Sequence, residues 1–387
     1  MPIALVTNYL TPYRTALFTR LAERHGTEVL CFGAGERYIP SWFRDLDRQL
    51  EQAPFPARRL HGPREALTLG RRYDALIAPF AGGAILPATY TSARLYGRPF
   101  ILWASVWAAP RSLTHALTLP VTRRIYRDAD AVIAYGEHVR RFVAGARARG
   151  TSEGVFVAPQ SVEPELFARS VSETEVDAFR SRHELPPGPC VLFAGRLVPE
   201  KGTAVVLDAW RAVRGDATLV VVGDGPLADA VRATPGTRLI GPLPRPEMAV
   251  AYALAELTVV PSIPTPRFRE PWALVCNEAM HQGRPVIAST AVGAVAGGLV
   301  RDGETGLVVT AGDPDALAAA IDRLLEDAAL RARLGAAGRD AVAGYTYEAM
   351  VAAFDAALAR AAATGRRRTA PRGRAWSTPR RPPGSGS

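Results

Sequence analysis

Two acidic residues eight positions apart, Glu270 and Glu278, sit in a stretch that reads as loop, helix and strand: residues 261–290, PSIPTPRFREPWALVCNEAMHQGRPVIAST. Glu270 falls in a Pro/Arg-rich loop, and Glu278 lies inside the apolar run ALVCNEAM, which reads as a helix. Pro271 suits the first helical position, where a missing N–H has no intrahelical partner to lose. Gly283 suits the stop just past the end, and RPVIAS reads as a short buried strand. The free N–H groups of Trp272, Ala273 and Leu274, with the positive end of the helix dipole, would attract an anion. Acids that take hydroxyls beside amides that take phosphate match the two ends of a sugar nucleotide. The plainer alternative pairs Glu270 with Arg267 or Arg269 on the surface and leaves Glu278 solvated on its helix.

Of the 47 basic residues only one is lysine, Lys201. A chain that uses arginine for every other positive charge marks, by that exception, a place for a compact three-donor ammonium. Lys201 and Arg196 share the loop RLVPEKGT after the apolar run CVLFAG, which ends at Gly195. A second loop, Gly223, Asp224, Gly225 and Pro226, follows TLVVVG. Because these loops and that of Glu270 each follow a strand, all three should open at the carboxyl end of one parallel sheet, where doubly wound folds take ligands. Two cations and a helix start there would hold a diphosphate, and stabilising a departing diphosphate is electrostatic catalysis. GDGPLA also fits the G-x-G-x-x-A fingerprint of an NAD-dependent oxidoreductase. Its position in mid-domain and the crowding by Pro226 make that the lesser reading.

The chain that must position these residues divides in two, as its 387 residues suggest. IALVT, EVLCFG, YDALIAPF, RPFILWAS, AVIAYG and GVFVAPQSV read as strands that alternate with helices, TALFTRLAERHG the first of them. Residues 40–66 read as a variable loop with one short strand. A first α/β domain is expected over residues 1–165, a partly helical linker over 166–188 and a second α/β domain over 189–345. A last helix, 346–364, should cross back to the first domain, and 365–387 should be a disordered basic tail. Asn8, Thr11, Tyr13 and Arg14, in a loop after the first strand, and Ser105 and Trp107, at and just past the end of ILWAS, are candidates for the side that takes an acceptor.

The net charge of +10 is uneven. Residues 1–170 hold 22 basic and 14 acidic groups, residues 171–365 hold 18 and 23, and the last 22 residues hold 7 and none. A basic first half suits an anionic membrane surface or an anionic acceptor; a solvated basic face is the alternative. No apolar run is long enough to span a bilayer, and the N-terminus shows no basic n-region or cleavage site. Cys31, Cys190 and Cys276 match no metal spacing and suit a reducing cytoplasm. The expected location is therefore cytoplasmic, with peripheral contact at the inner membrane face. Neither a metal nor a specific nucleic-acid partner is expected.

Four segments of the second domain, FAGRLVPEKGT, VVGDGPL, EPWALVCNEAM and GGLVRDGETGLVV, resemble in order and spacing the nucleotide-sugar domain of family 4 glycosyltransferases over roughly residues 190–310. VTNYLTPYRTALFTRLAE and VFVAPQSVEPELF resemble, more weakly, that family's start and domain junction. The resemblance implies a GT-B fold, two Rossmann-like domains facing each other across a cleft. It implies transfer of a sugar from a nucleotide diphosphate to an acceptor hydroxyl, with retained anomeric configuration and no bound metal or further cofactor. The acceptor would be a glycan, a lipid-linked sugar or a small molecule. Arg196 and Lys201 would hold the donor diphosphate, Glu270 the sugar hydroxyls and Glu278 the ribose. Amides at Trp272, Ala273 and Leu274 would meet phosphate or sugar oxygens. Gly195, Gly223, Gly225, Pro226 and the backbone at Ile240 would line the nucleotide. A GT-B epimerase and a non-catalytic binding protein stand as alternatives. One departure is visible: the histidine that many members carry after the strand ILWAS is missing, and His115 is the nearest one. The other histidines, His138 included, read as structural or surface residues.

Overall fold

Continuous apolar runs, rather than alternating ones, are what a parallel sheet covered on both faces demands, and they govern both halves of the computed structural model. It describes residues 2–33, 45–80, 83–108, 113–147, 151–266 and 268–369. In the first half the strands are β1 (Ile3–Thr7), β2 (Thr27–Cys31), β3 (Ala57–Arg59), β4 (Ala75–Pro79), β5 (Phe100–Ala104), β6 (Ala131–Ala134) and β7 (Val155–Val157). They pair in the order β3-β2-β1-β4-β5-β6-β7, all parallel. In the second half β8 (Cys190–Ala194), β9 (Thr218–Val222), β10 (Thr237–Gly241), β11 (Leu257–Val260), β12 (Val286–Ser289) and β13 (Leu307–Val309) pair in the order β10-β9-β8-β11-β12-β13, again parallel. Every residue of β1, β5, β6, β9, β11 and β12 is buried.

Both orders reverse direction beside their first strand, between β1 and β4 and between β8 and β11. Loops leaving neighbouring strands at such a point diverge and leave a crevice at the carboxyl edge. In the second sheet the diverging loops are those of Lys201 and Glu270.

The last helix, Tyr347–Thr369, leaves the second half and covers one face of the first sheet. Tyr347, Met350, Phe354, Ala357 and Ala361, spaced three or four apart, are buried with Leu17, Phe18, Trp103 and Ile133. The Phe354 ring meets the Trp103 ring edge-on at 5.3 Å. Polar ties flank this stripe: Tyr347 Oη donates to the Tyr13 carbonyl at 2.8 Å, and Asp355 pairs with Arg24 and His25. The helix runs five residues beyond its expected end at 364, so the first residues of the expected tail are helical. Residues 370–387 lie outside the described residues, as do 34–44 of the variable segment.

Two further boundaries differ from expectation. The first helix is Pro12–His25, so Pro12, Tyr13 and Arg14 form its opening turn rather than a loop. The helix of Glu278 is Val275–His281 and begins four residues after Pro271. After β12 the chain forms a short helix, Gly293–Ala296. The three cysteines are free and buried.

A candidate active site at the carboxyl edge of the second sheet

The chain after β8 turns through a short 3-10 segment, Pro199–Lys201, and lies against the chain after β11, where the Ile263 N–H donates to the Glu200 carbonyl at 3.1 Å. That contact brings Lys201 Nζ onto Glu270 Oε2, which also accepts from Ser262 Oγ at 3.3 Å. Glu270 is only 5% exposed. A carboxylate so buried needs a partner of opposite charge, and the lone lysine supplies it. The Lys201 ammonium also lies 5.9 Å from the centre of the Phe268 ring, within cation–π reach. Arg196, in the same loop, stands 3.8 Å from Glu200. The surface pairing of Glu270 with Arg269 does not form: Arg269 stacks over the Trp107 ring at 4.9 Å. Arg267 lies outside the described residues.

Between Glu270 and the helix, residues 271–274 form a turn, with Ala273 at φ +75°. This corrects the expected helix start at Pro271. No carbonyl takes the N–H of Ala273 or Leu274 among the described residues, so these amides remain oriented as donors. The Trp272 side chain is buried, and its Nε1–H donates to Asn277 Oδ1 at 2.7 Å. Glu278, half-buried on the helix, accepts from Tyr252 Oη at 2.6 Å. Burial raises its carboxyl above the usual range, against the pull of Tyr252 and of the Arg245 guanidinium. Arg245 is itself held by both carboxylate oxygens of Glu163. Glu278 is therefore not a solvated helix residue. Glu270, Glu278 and Lys201 all act electrostatically on the buried Cys276 thiol, which burial and the two acids push up. The two acids thus share one neighbourhood without touching.

The glycines after β9 have a backbone reason. Gly223, at φ +146°, lies so close to the Gly195 carbonyl that a Cβ would overlap it, and a Cβ on Gly225, at φ +155°, would come within 2.6 Å of the Leu197 carbonyl oxygen. Leu197 N–H donates to the Asp224 carbonyl at 2.9 Å. Gly223 and Gly225 therefore let the loops of β8 and β9 lie backbone to backbone beside Arg196, with Gly195 supplying the carbonyl that Gly223 meets. That close packing, rather than a dinucleotide turn, accounts for the G-x-G spacing. Pro226 is exposed at the tip, and Ile240 is half-buried on the edge strand β10, beside the end of β9.

The first domain meets this edge through the chain after β5 and β6. Trp107 Nε1–H donates to the Glu270 carbonyl at 3.0 Å. His138, one of the histidines set aside, is buried, and its Nε2 bonds the Pro271 carbonyl at 3.0 Å. Burial pushes its imidazole down to about 4. Ser105 precedes Trp107 in the same loop and is half-buried. The side chain of His115 lies outside the described residues. His138 carried one usable signal: it follows β6 directly, at the carboxyl edge where ligands are met.

After β1, Arg14 departs from expectation. Its guanidinium is buried, donates to Gln160 Oε1 at 2.6 Å and lies over the Trp103 and Tyr135 rings. It is an internal residue of the first domain rather than an open acceptor contact. From Gln160 the bonding continues into the second domain, where Asn277 Nδ2 donates to the Gln160 carbonyl at 2.8 Å and Asn277 Oδ1 accepts from Trp272. Asn8, Thr11 and Tyr13 remain half-buried around the end of β1. Among the described residues no three His, Cys, Asp or Glu side chains gather as a set of metal ligands.

Residues 188–327 match the family described as Glycosyl transferases group 1. The GDP-mannose-dependent alpha-(1-6)-phosphatidylinositol monomannoside mannosyltransferase of Mycolicibacterium smegmatis is 32% identical over 57% of this chain and 60% of its own length. The D-inositol 3-phosphate glycosyltransferase of Stackebrandtia nassauensis is 29% identical over 72% of this chain and 68% of its own. The match to the first of these thus spans less than two thirds of that relative. Both are named as transferases rather than epimerases or oxidoreductases. The crystal structure of Anabaena HepE in complex with UDP superposes with a TM-score of 0.76 over 93% of this chain and 100% of its own, at 20% identity. The architecture is therefore GT-B, two Rossmann-like α/β domains.

Proposed function

We propose that this chain, whose second domain is a group 1 glycosyltransferase domain, moves a hexose from a nucleoside diphosphate to an acceptor hydroxyl in glycolipid or polysaccharide synthesis. The observation that carries the reading is the Lys201–Glu270 pair, set beside Arg196 at the switch point of the second sheet. Names of relatives support it: a GDP-mannose-dependent mannosyltransferase and an inositol phosphate glycosyltransferase by sequence, and a UDP complex by fold.

In this reading Arg196 and Lys201 hold the donor diphosphate and offset the charge that builds on it as the glycosidic C–O bond breaks. Glu270 accepts from hydroxyls of the sugar, Glu278 from the ribose, and the Ala273 and Leu274 amides face phosphate or sugar oxygens. The acceptor hydroxyl attacks the anomeric carbon on the face the diphosphate leaves. Its proton passes to a phosphate oxygen of that leaving group, so configuration is retained and no metal is required. Glu270, already engaged by an ammonium and a hydroxyl, is a poor nucleophile for a double displacement. The acceptor is a glycan, a lipid-linked sugar or a small molecule, reached at the anionic cytoplasmic face of a membrane.

The test is a screen of UDP-, GDP- and ADP-hexoses by thermal shift and by slow release of the nucleoside diphosphate. One nucleotide class should stabilise the protein, by about 2.7 kcal/mol at a hundredfold excess over its dissociation constant, and should be turned over. Neither stabilisation nor turnover with any of the three classes would overturn the assignment.

A further inference from the structure

The turn that carries Glu270 is held from two sides. From its own domain, Glu270 bridges Val292, the Ala294 N–H donates to the Trp272 carbonyl at 2.9 Å, and Gly293 leaves no room for a Cβ against the Pro271 carbonyl. From the other domain come two ring donors, Trp107 Nε1–H to the carbonyl of Glu270 and His138 Nε2–H to the carbonyl of Pro271. Carbonyls of consecutive residues are thereby fixed in direction. The Glu270 carbonyl lies in the peptide plane that leaves Glu270 and the Pro271 carbonyl in the next one, and together with the bridge to Val292 they leave the Cα–Cβ bond of Glu270 little freedom. We propose that Trp107 and His138 are positioning residues for Glu270, donors of the first domain that aim the sugar-facing carboxylate of the second while the two domains are closed on each other. This rests on the role given to Glu270 above.

The donors are themselves held. The Trp107 indole is covered by the Arg269 guanidinium and meets the His138 ring edge-on at 5.4 Å. On the other side, His138 lies 5.9 Å from the Trp272 ring. A Cβ on Gly136 would come within 2.8 Å of the imidazole and 2.9 Å of Trp272, and one on Gly297 within 2.6 Å of Trp272, so both positions keep the rings close. A carbonyl only accepts, so the imidazole proton sits on Nε2. The buried Nδ1, which has no hydrogen-bond partner among the described residues, is the unprotonated nitrogen. One turn on in the helix Glu137–Ala146, which carries His138, Arg141 adds another tie across the domains by donating to the Ala296 carbonyl at 2.9 Å.

The test compares Trp107→Phe, which keeps a ring and removes the N–H, with His138→Leu, which removes the donor, and His138→Gln, whose amide reaches about as far. With the donor identified by the screen, kcat, donor KM and the melting temperature are measured on the full chain. Trp107→Phe and His138→Leu should each lose about tenfold or more in kcat, about 1.4 kcal/mol per factor of ten, with donor KM within about twofold. His138→Gln should recover most of the loss. Unchanged kcat in both loss variants would overturn the proposal. So would a parallel fall in kcat, affinity and melting temperature that His138→Gln does not reverse, which is the mark of packing alone. A wild-type chain that binds and turns over no donor would sink the reading of Glu270 as well, and the wild-type control tells the two failures apart.

Discussion

At the scale of single residues, the site turns on which charge faces which. An ammonium on Glu270 Oε2 and a guanidinium beside Glu200 place two cations on one loop, with Glu270 buried between its partners. Replacing Lys201 by Ala removes a donor to the leaving group and leaves a buried carboxylate alone. Turnover should fall about 10²–10³-fold, while circular dichroism still shows folded protein. Lys201→Arg should not restore it, because a planar fork does not fit where a compact ammonium sits between Glu270 and Phe268. Wild-type rates in either variant would remove the basis for the site. Lys201 stood out in the sequence because it is the one lysine, and Glu270 because it stands eight positions before Glu278 in a loop that follows a strand. Their direct contact did not, since 69 positions separate them. The burial of Arg14 and the bond made by His138 were missed for a related reason. Burial of a polar side chain depends on partners from distant segments, here Gln160 and Pro271, and local pattern carries no trace of them.

At the scale of elements, the strands were readable because buried parallel strands are continuous apolar runs, and the helix ends were less so. Pro271 has the local chemistry of a helix start, but the chain from Glu270 to Leu274 is committed to Val292, Ala294 and the first domain, and Ala273 takes a left-handed conformation instead. Tertiary contacts outweighed a propensity worth a few tenths of a kcal/mol per residue. The last helix shows the converse, a periodic apolar stripe that covers one face of the first sheet. Phe354, fully buried against Trp103, carries much of that contact. Phe354→Ala should cost about 3–5 kcal/mol, read as a lowered melting temperature. A loss under about 1 kcal/mol would mean the helix is only loosely seated.

At the scale of the whole molecule, charge is divided between the domains. The basic first half exposes Arg123, Arg124 and Arg127 on the helix Leu113–Asp128, together with Leu119 and Val121. No helix among the described residues is long and apolar enough to cross a membrane. Contact with a membrane would then be made by this face. The chain should sediment with vesicles rich in anionic lipid and not with neutral ones. Salt should release it, because surface charges are screened within about 10 Å at 0.1 M, and Arg123→Glu with Arg127→Glu should weaken it. Equal sedimentation with both vesicle types would argue against an electrostatic membrane contact.

The return of the final helix to the first sheet also orders events in time. The ribosome delivers β1 to β7 long before Tyr347, yet the face of that sheet around Leu17, Phe18 and Trp103 has no lid until Ala361 has emerged. The half that is made first is therefore finished last. Until then the part of that face not covered by the helix Pro12–His25 stays open, an apolar surface of the kind that invites association with neighbouring chains.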